Sequence, residues 1–294
     1  MTPFRRWSDR IVRWIFFGSA FLSVVVLLGI FGMLVVNGSR TFSEVSIGGF
    51  LSGVRWNPSA YGEAAYGILS MIASTLLVTI GSLIIAIPLG VGSAAYLSEI
   101  ASERLRETLK PIIELLAAVP SVAVGFIGIV LTGPALAGLF NLDNGLNALN
   151  GSVLLAFMSL PTIITVAEDA IRAVPQSFKE GSYALGANRW VTLVRVSIPA
   201  AMSGIIAAII LGMGRAIGET MTVLMATGNA LAMPNGFFDP VRTMTATIAI
   251  ELGEVPTGTT HYFALFALGA VLFLISLGVN LAAEALAARY RYKS

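Results

Sequence analysis

Six long apolar stretches run through the chain, at about 15–36, 68–97, 111–140, 149–167, 197–227 and 263–287, separated by segments that collect the charged residues and many of the prolines. Each approaches or exceeds the roughly 20 residues that a helix needs to cross a hydrocarbon core. The pattern predicts an all-α, polytopic membrane protein of six transmembrane helices. The second stretch is longer than a straight crossing requires, so it is expected to tilt or to protrude. Pro88, Pro134 and Pro161 fall inside the second, third and fourth stretches, where a missing N–H bends or breaks a helix unless protein or water satisfies the freed carbonyl. The first stretch is too long for a signal core and no small-residue cleavage site follows it, so it reads as a retained span.

Composition agrees with lipid as the main solvent: 56% of residues are hydrophobic and 12% charged, more apolar than one soluble core can hide. Cysteine is absent, which excludes disulfides, thiol nucleophiles and cysteine-ligated metal or iron–sulfur centres. The net charge of +2 matters through its placement. An even number of spans puts both termini on one side. Arg5, Arg6, Arg10, Arg13, Arg104, Arg106, Lys110, Arg172, Lys179, Arg189, Arg195, Arg289, Arg291 and Lys293 all fall on that side, against Arg40, Arg55 and Arg242 on the other. Excess Lys and Arg marks the cytoplasmic face. The expected organisation is a cytoplasmic segment 1–14, a first helix 15–36, a five-helix core 68–287 and a cytoplasmic tail 288–294.

Between the fourth and fifth stretches, residues 174–190 read as a short helix with its own boundaries. Ser177 and Glu180 have capping-box spacing, and Gly186 suits the left-handed position after a last turn. Phe178, Gly181, Ser182 and Leu185 share one helical face, giving two apolar knobs with small residues between them, a shape for docking on another protein. The chain has no G-x4-G-K-[ST] loop and three lysines in all, so a phosphate-cradling ATPase site is not encoded here.

Within the loop 174–199, Glu180, Gly186, Val196, Ile198 and Pro199 follow the spacing E-A-A-x3-G-x9-I-x-L-P, which resembles the coupling-loop motif of ABC importer permeases. Gly181 and Ser182 stand where alanines are usual, and Val196 and Ile198 where Ile and Leu are usual. The resemblance implies a type I, MetI-like permease fold whose coupling helix docks on a separate ATPase, so that ATP and Mg are used by the partner and this chain binds no cofactor.

The fifth stretch contains Arg215 and Glu219, one helical turn apart on one face, with Thr222 continuing that face. Intramembrane charges are costly unless paired or facing water. A transport-path role and a helix-stapling ion pair both fit. In the first, Glu219 neutralises Arg215 at rest and an incoming anion competes for the guanidinium, whose planar fork can bind phosphate bidentately. The Arg215-Ala-Ile-Gly-Glu-Thr220 string, with Glu114-Leu-Leu-Ala-Ala-Val-Pro120 and Ser121-Val-Ala-Val-Gly125, is similar to phosphate-importer permeases of the Pst type. Trp56-Asn-Pro58 and the run from Gly218 to Asn229 look PstC-like. That resemblance implies a PstA-like second permease, two PstB-like ATP-binding subunits, a PstS-like extracytoplasmic phosphate-binding protein, and residence in a bacterial or archaeal cytoplasmic membrane. A different oxyanion or small solute, or an ion-coupled secondary transporter, stays open as an alternative.

Other features carry less. Gly214 and Gly218 form a GxxxG step that permits close helix approach. Glu168, Asp169 and Arg172 read as a solvated interfacial cluster, Glu114 as an interfacial carboxylate, and His261 as a loop histidine with no second metal ligand near it in sequence. The outer loops 37–67 and 228–262 carry Trp56, Pro58, Tyr61, Pro234, Pro240 and Pro256, and both docking of a partner and an ordinary loop surface fit them.

Overall fold

The computed structural model describes residues 3–58 and 63–289; Tyr61, Arg291 and Lys293 lie outside them. Helix α1 (Pro3–Ser39) runs into a 3-10 turn (Arg40–Ser43), followed by α2 (Ile47–Ser52) and a two-stranded hairpin of β1 (Trp56–Asn57) and β2 (Ala65–Tyr66). Then come α3 (Leu69–Glu99), α4 (Glu103–Ala117), α5 (Ser121–Ile127), a π-helical turn (Gly128–Thr132), α6 (Gly133–Phe140) and α7 (Ala148–Arg172). The second half holds α8 (Gln176–Ala184), α9 (Arg189–Thr192), a π-helical turn (Leu193–Ser197), α10 (Ile198–Ala200), α11 (Met202–Gly218), α12 (Met221–Ala226), α13 (Met244–Glu251) and α14 (Thr260–Arg289).

Five helical stretches among the described residues are long and apolar enough to cross a membrane: Val12–Ser43, Leu69–Glu99, Ser121–Phe140, Ala148–Arg172 and Thr260–Ala288. Arg189–Ala200 and Met202–Gly218 together reach the same length and apolarity but are bent by 71°, so they count as a sixth crossing when the pair is taken as one broken span. The bend follows a π-helical turn and Pro199, two features that disrupt the i→i−4 ladder. The third crossing begins later than the apolar pattern suggested. Residues 103–117 form a separate, amphipathic helix with no buried side chain, and Pro120 starts a new helix at Ser121. Pro88 and Pro161 are accommodated inside continuous helices, and Pro134 sits in the first turn of α6, directly after the π-turn.

Helix α7 is the centre of the bundle, packed against α3, α11 and α4. Small residues let it approach its neighbours. Ile163 of α7 fits between Gly90 of α3 and Gly212 of α11, where an added Cβ would lie 2.6 Å from Ile163 on either side; packing of this kind holds membrane helices together in place of a hydrophobic drive. The N-terminus of α7 is satisfied by its own Asn147 cap and by the 228–243 loop, since Ala148 N donates to Asp239 O at 3.0 Å and Leu149 N to Phe237 O at 2.7 Å.

Helix α1 stands at the periphery. Its side chains from Val12 to Ile30 are exposed, and it meets the bundle only further on, against α14, where Phe31 stacks on Phe273 at 4.8 Å and Gly38 abuts the backbone of Ala267. A surface so apolar and uncovered by the rest of the chain calls for lipid or another membrane helix against it.

Candidate functional site

Two interruptions of the spans lie side by side. At residues 118–120 the chain leaves α4 and restarts at α5, with Pro120 extended at φ −59°, ψ 134°. At residues 219–220 it leaves α11 and restarts at α12, with Glu219 extended at φ −68°, ψ 133°. Helices α5 and α12 pack against each other, and Thr222 Oγ1 donates to Ser121 O across the junction at 3.1 Å.

Because α11 ends at Gly218, Arg215, Glu219 and Thr222 do not share a helical face, and the expected Arg215–Glu219 ion pair is not formed. The half-buried Arg215 donates from Nη2 to Ala117 O at 3.4 Å, at the carbonyl end of α4. Glu219 accepts through Oε1 from Thr222 N at 3.3 Å, at the N–H end of α12, and its own carbonyl accepts from Thr245 Oγ1 at 2.9 Å. Each charge is set against a helix end of opposite polarity rather than against the other. The bond to Ala117 uses one of the five N–H groups of the guanidinium. Thr222 is fully buried and staples the junction through Ser121 O.

Asn150 ties both interrupted segments to α7. Its Nδ2 donates to Gly128 O at 3.0 Å and to Ala226 O at 3.2 Å, while Oδ1 accepts from Thr132 Oγ1 at 2.5 Å. Sequence reasoning passed over this residue. The available signal was an amide inside an apolar span, which must find partners or pay for its desolvation.

At the end of the bundle where the basic loops gather, α8 presents the short docking shape. Pro175 takes the N-cap position and no side chain caps the helix, so Ser177 and Glu180 do not form the expected capping box. Gly186 does adopt the left-handed conformation, at φ 85°. Phe178 and Leu185 are 55% and 91% exposed, and Gly181 between them has open space at its Cα. Glu180 is exposed too, whereas Ser182 is half-buried and shares a 2.9 Å hydrogen bond with Thr192. On the buried flank of α8, Lys179 pairs with Glu99.

Glu168 corrects the expectation of a solvated cluster. It is 1% exposed and pairs with Lys110 at 2.7 Å and Arg172 at 3.5 Å, while Lys110 also reaches Asp169 at 2.9 Å. Burial works against the Lys110 ammonium, but the hydrogen bonds and charges of Glu168 and Asp169 outweigh it and raise its pKa above the ordinary 10.5. Glu114 is exposed. At the opposite end of the bundle, Glu251 accepts from Trp56 Nε1 at 2.9 Å and Arg242 Nη1 at 3.1 Å and meets His261 Nε2 at 2.8 Å, clamping the hairpin, the 228–243 loop and the start of α14. At the GxxxG step, among the described residues, a Cβ at Gly218 would meet nothing within 4 Å, and one at Gly214 only Asn280 Oδ1 of α14, at 3.9 Å.

Residues 86–292 match the family described as binding-protein-dependent transport system inner membrane component. The chain is 37% identical over 260 residues to the probable ABC transporter permease protein YqgH of Bacillus subtilis, covering 88% of this chain and 82% of the relative. It is 36% identical over 275 residues to the phosphate transport system permease protein PstC 1 of Mycobacterium tuberculosis, covering 82% and 81%. Among solved structures, a chain of a bacterial ABC transporter that imports the acidic polysaccharide alginate superposes with a TM-score of 0.65 at 15% identity, over 97% of this chain and 99% of that one. A chain of the inward-facing MetNI methionine ABC transporter gives 0.57 at 17% identity, over 77% and 95%.

Proposed function

This chain belongs to the family of binding-protein-dependent transport system inner membrane components, and from that premise we propose that it is the permease subunit of an ATP-driven phosphate importer. It forms half of the translocation pathway beside a PstA-like permease, receives phosphate from a PstS-like extracytoplasmic binding protein, and docks two PstB-like ATPases between them. ATP and Mg are bound by those ATPases, and the exposed face of α8 within residues 176–190 couples to them. Both termini and α8 lie on the cytoplasmic side, where Lys and Arg are concentrated. Family membership displaces the ion-coupled secondary transporter.

The observation that carries the cargo is Arg215. It stands at the junction of two interrupted helices, held by a single long contact to Ala117 O, with donors to spare for a bidentate oxyanion. Relatives named as phosphate permeases, at 30–36% identity over most of the chain, support the same reading. At rest the charge is compensated by the carbonyl end of α4, so phosphate displaces a carbonyl rather than the Glu219 carboxylate. The open-ended interruption then serves as the midway station that broken helices provide in transport proteins.

Uptake by the reconstituted importer tests this. Losing the bidentate, charge-assisted contact in Arg215→Lys and Arg215→Gln is expected to lower phosphate uptake by roughly 10- to 100-fold, the equivalent of about 1.5–3 kcal/mol. Near-normal uptake in both variants, or sulfate carried in preference to phosphate, overturns the assignment.

A further inference from the structure

The docking helix holds a charge that its exposed face does not need. Lys179 is 8% exposed where Phe178 and Leu185 of the same segment are open, and it sets Nζ 2.5 Å from Glu99 Oε1. Glu99 is the last residue of α3, and the same oxygen accepts from Ser197 Oγ at 3.4 Å. Ser197 closes the π-helical turn beneath the 71° bend. Three elements thus converge on one carboxylate oxygen: the docking helix, the end of α3, and the base of the bent crossing.

A stability role explains this pair poorly. Desolvating a lysine and a glutamate together offsets much of their attraction, and a well-packed apolar pair would hold the same elements without that cost. What a short, buried ion pair does provide is a fixed separation with defined partners. From Glu99 the structure continues without interruption. Helix α3 packs along α7, and Asn150 of α7 grips both interrupted segments at the Arg215 junction.

We propose that the Lys179–Glu99 pair is the strut by which displacement of α8 reaches α3 and the bent crossing, making both residues positioning residues for coupling. The inference rests on the reading that an ATPase docks on α8, and it names the contact through which that docking acts on the spans.

The test uses the whole importer in proteoliposomes, with ATP hydrolysis and phosphate uptake measured on the same vesicles and retained ATPase measured by co-purification. Lys179→Met and Glu99→Gln are each expected to raise the ATP hydrolysed per phosphate taken up by roughly fivefold or more while the ATPase stays bound. The charge-exchanged chain carrying Lys179→Glu with Glu99→Lys is expected to bring the ratio back to within about twofold of the natural chain. Rescue by exchange is a result that simple loss of packing does not produce. An unchanged ratio in both single variants overturns the proposal, as does an exchanged pair that assembles and stays uncoupled. Where a single variant does not assemble, the exchanged pair decides by the same ratio. Loss of assembly in all three also overturns it, because the pair would then hold the fold rather than transmit movement. Failure of the underlying reading looks different: the chain with natural Lys179 and Glu99 would keep its ATPase after Leu185→Glu.

Discussion

Replacing Asn150 with leucine keeps the size of a fully buried side chain and removes the polar link between α7 and both interrupted segments. The losses are unequal. Gly128 O still accepts from Gly133 N within the π-turn, and the Thr132 hydroxyl can turn to a carbonyl of its own helix. Each of those two bonds is therefore assigned about 0.6 kcal/mol, the average for side-chain hydrogen bonds inside a membrane protein. Ala226 O, in the last turn of α12, loses its partner outright and is left buried, at about 1–3 kcal/mol. The sum is about 2–4 kcal/mol, or roughly 30- to 1,000-fold in the folded-to-unfolded ratio. Asn150→Asp is expected to cost at least as much, since it turns a carboxylate toward two carbonyls. Unfolding in mixed micelles of mild detergent and dodecyl sulfate, followed by tryptophan fluorescence, measures the change, and amide exchange over residues 221–229 locates it. A leucine variant within about 0.5 kcal/mol of the natural chain, with unaltered exchange in α12, would refute the reasoning.

Leu185→Glu alters a side chain that is 91% exposed, so unfolding is expected to shift by less than about 0.5 kcal/mol while ATPase co-purification is lost; a variant that retains the ATPase contradicts the docking face. Gly186→Ala forces an L side chain to φ 85° and is expected to cost about 1–2 kcal/mol, whereas Gly181→Ala, with open space around it, should leave the unfolding midpoint nearly unmoved. For Lys110, the folded-state pKa lies above the ordinary 10.5. Its pairing therefore contributes fully below about pH 10.5 and is lost as pH climbs through the raised value. Unfolding curves taken across the alkaline range are expected to show this loss in the natural chain and not in Lys110→Met, and parallel curves would count against the pairing.

The membrane class and the approximate limits of α3, α7 and α14 were legible in the residues themselves, because each depends on apolar length along one segment; α1, expected from residue 15, begins at Pro3, since a helix can continue through polar residues beyond its apolar run. The left-handed Gly186 was legible for the same reason: a glycine after the last turn of a short helix is a local signal. The interruptions were not. An apolar run from 111 to 140 conceals the Pro120 restart, and nothing between Arg215 and Thr222 announces that α11 stops at Gly218. Whether a helix continues there depends on partners brought from elsewhere, Ser121 for Thr222 and Thr245 for the Glu219 carbonyl. The fate of each charge followed the same rule. Glu168 looked solvated until Lys110 folded against it, and Arg215 found the Ala117 carbonyl rather than Glu219. Apolar burial is additive along a segment, so the sequence by itself determined which segments enter the membrane. Charge compensation and hydrogen bonding need a partner at about 3 Å, and only the tertiary structure decided which partner that is.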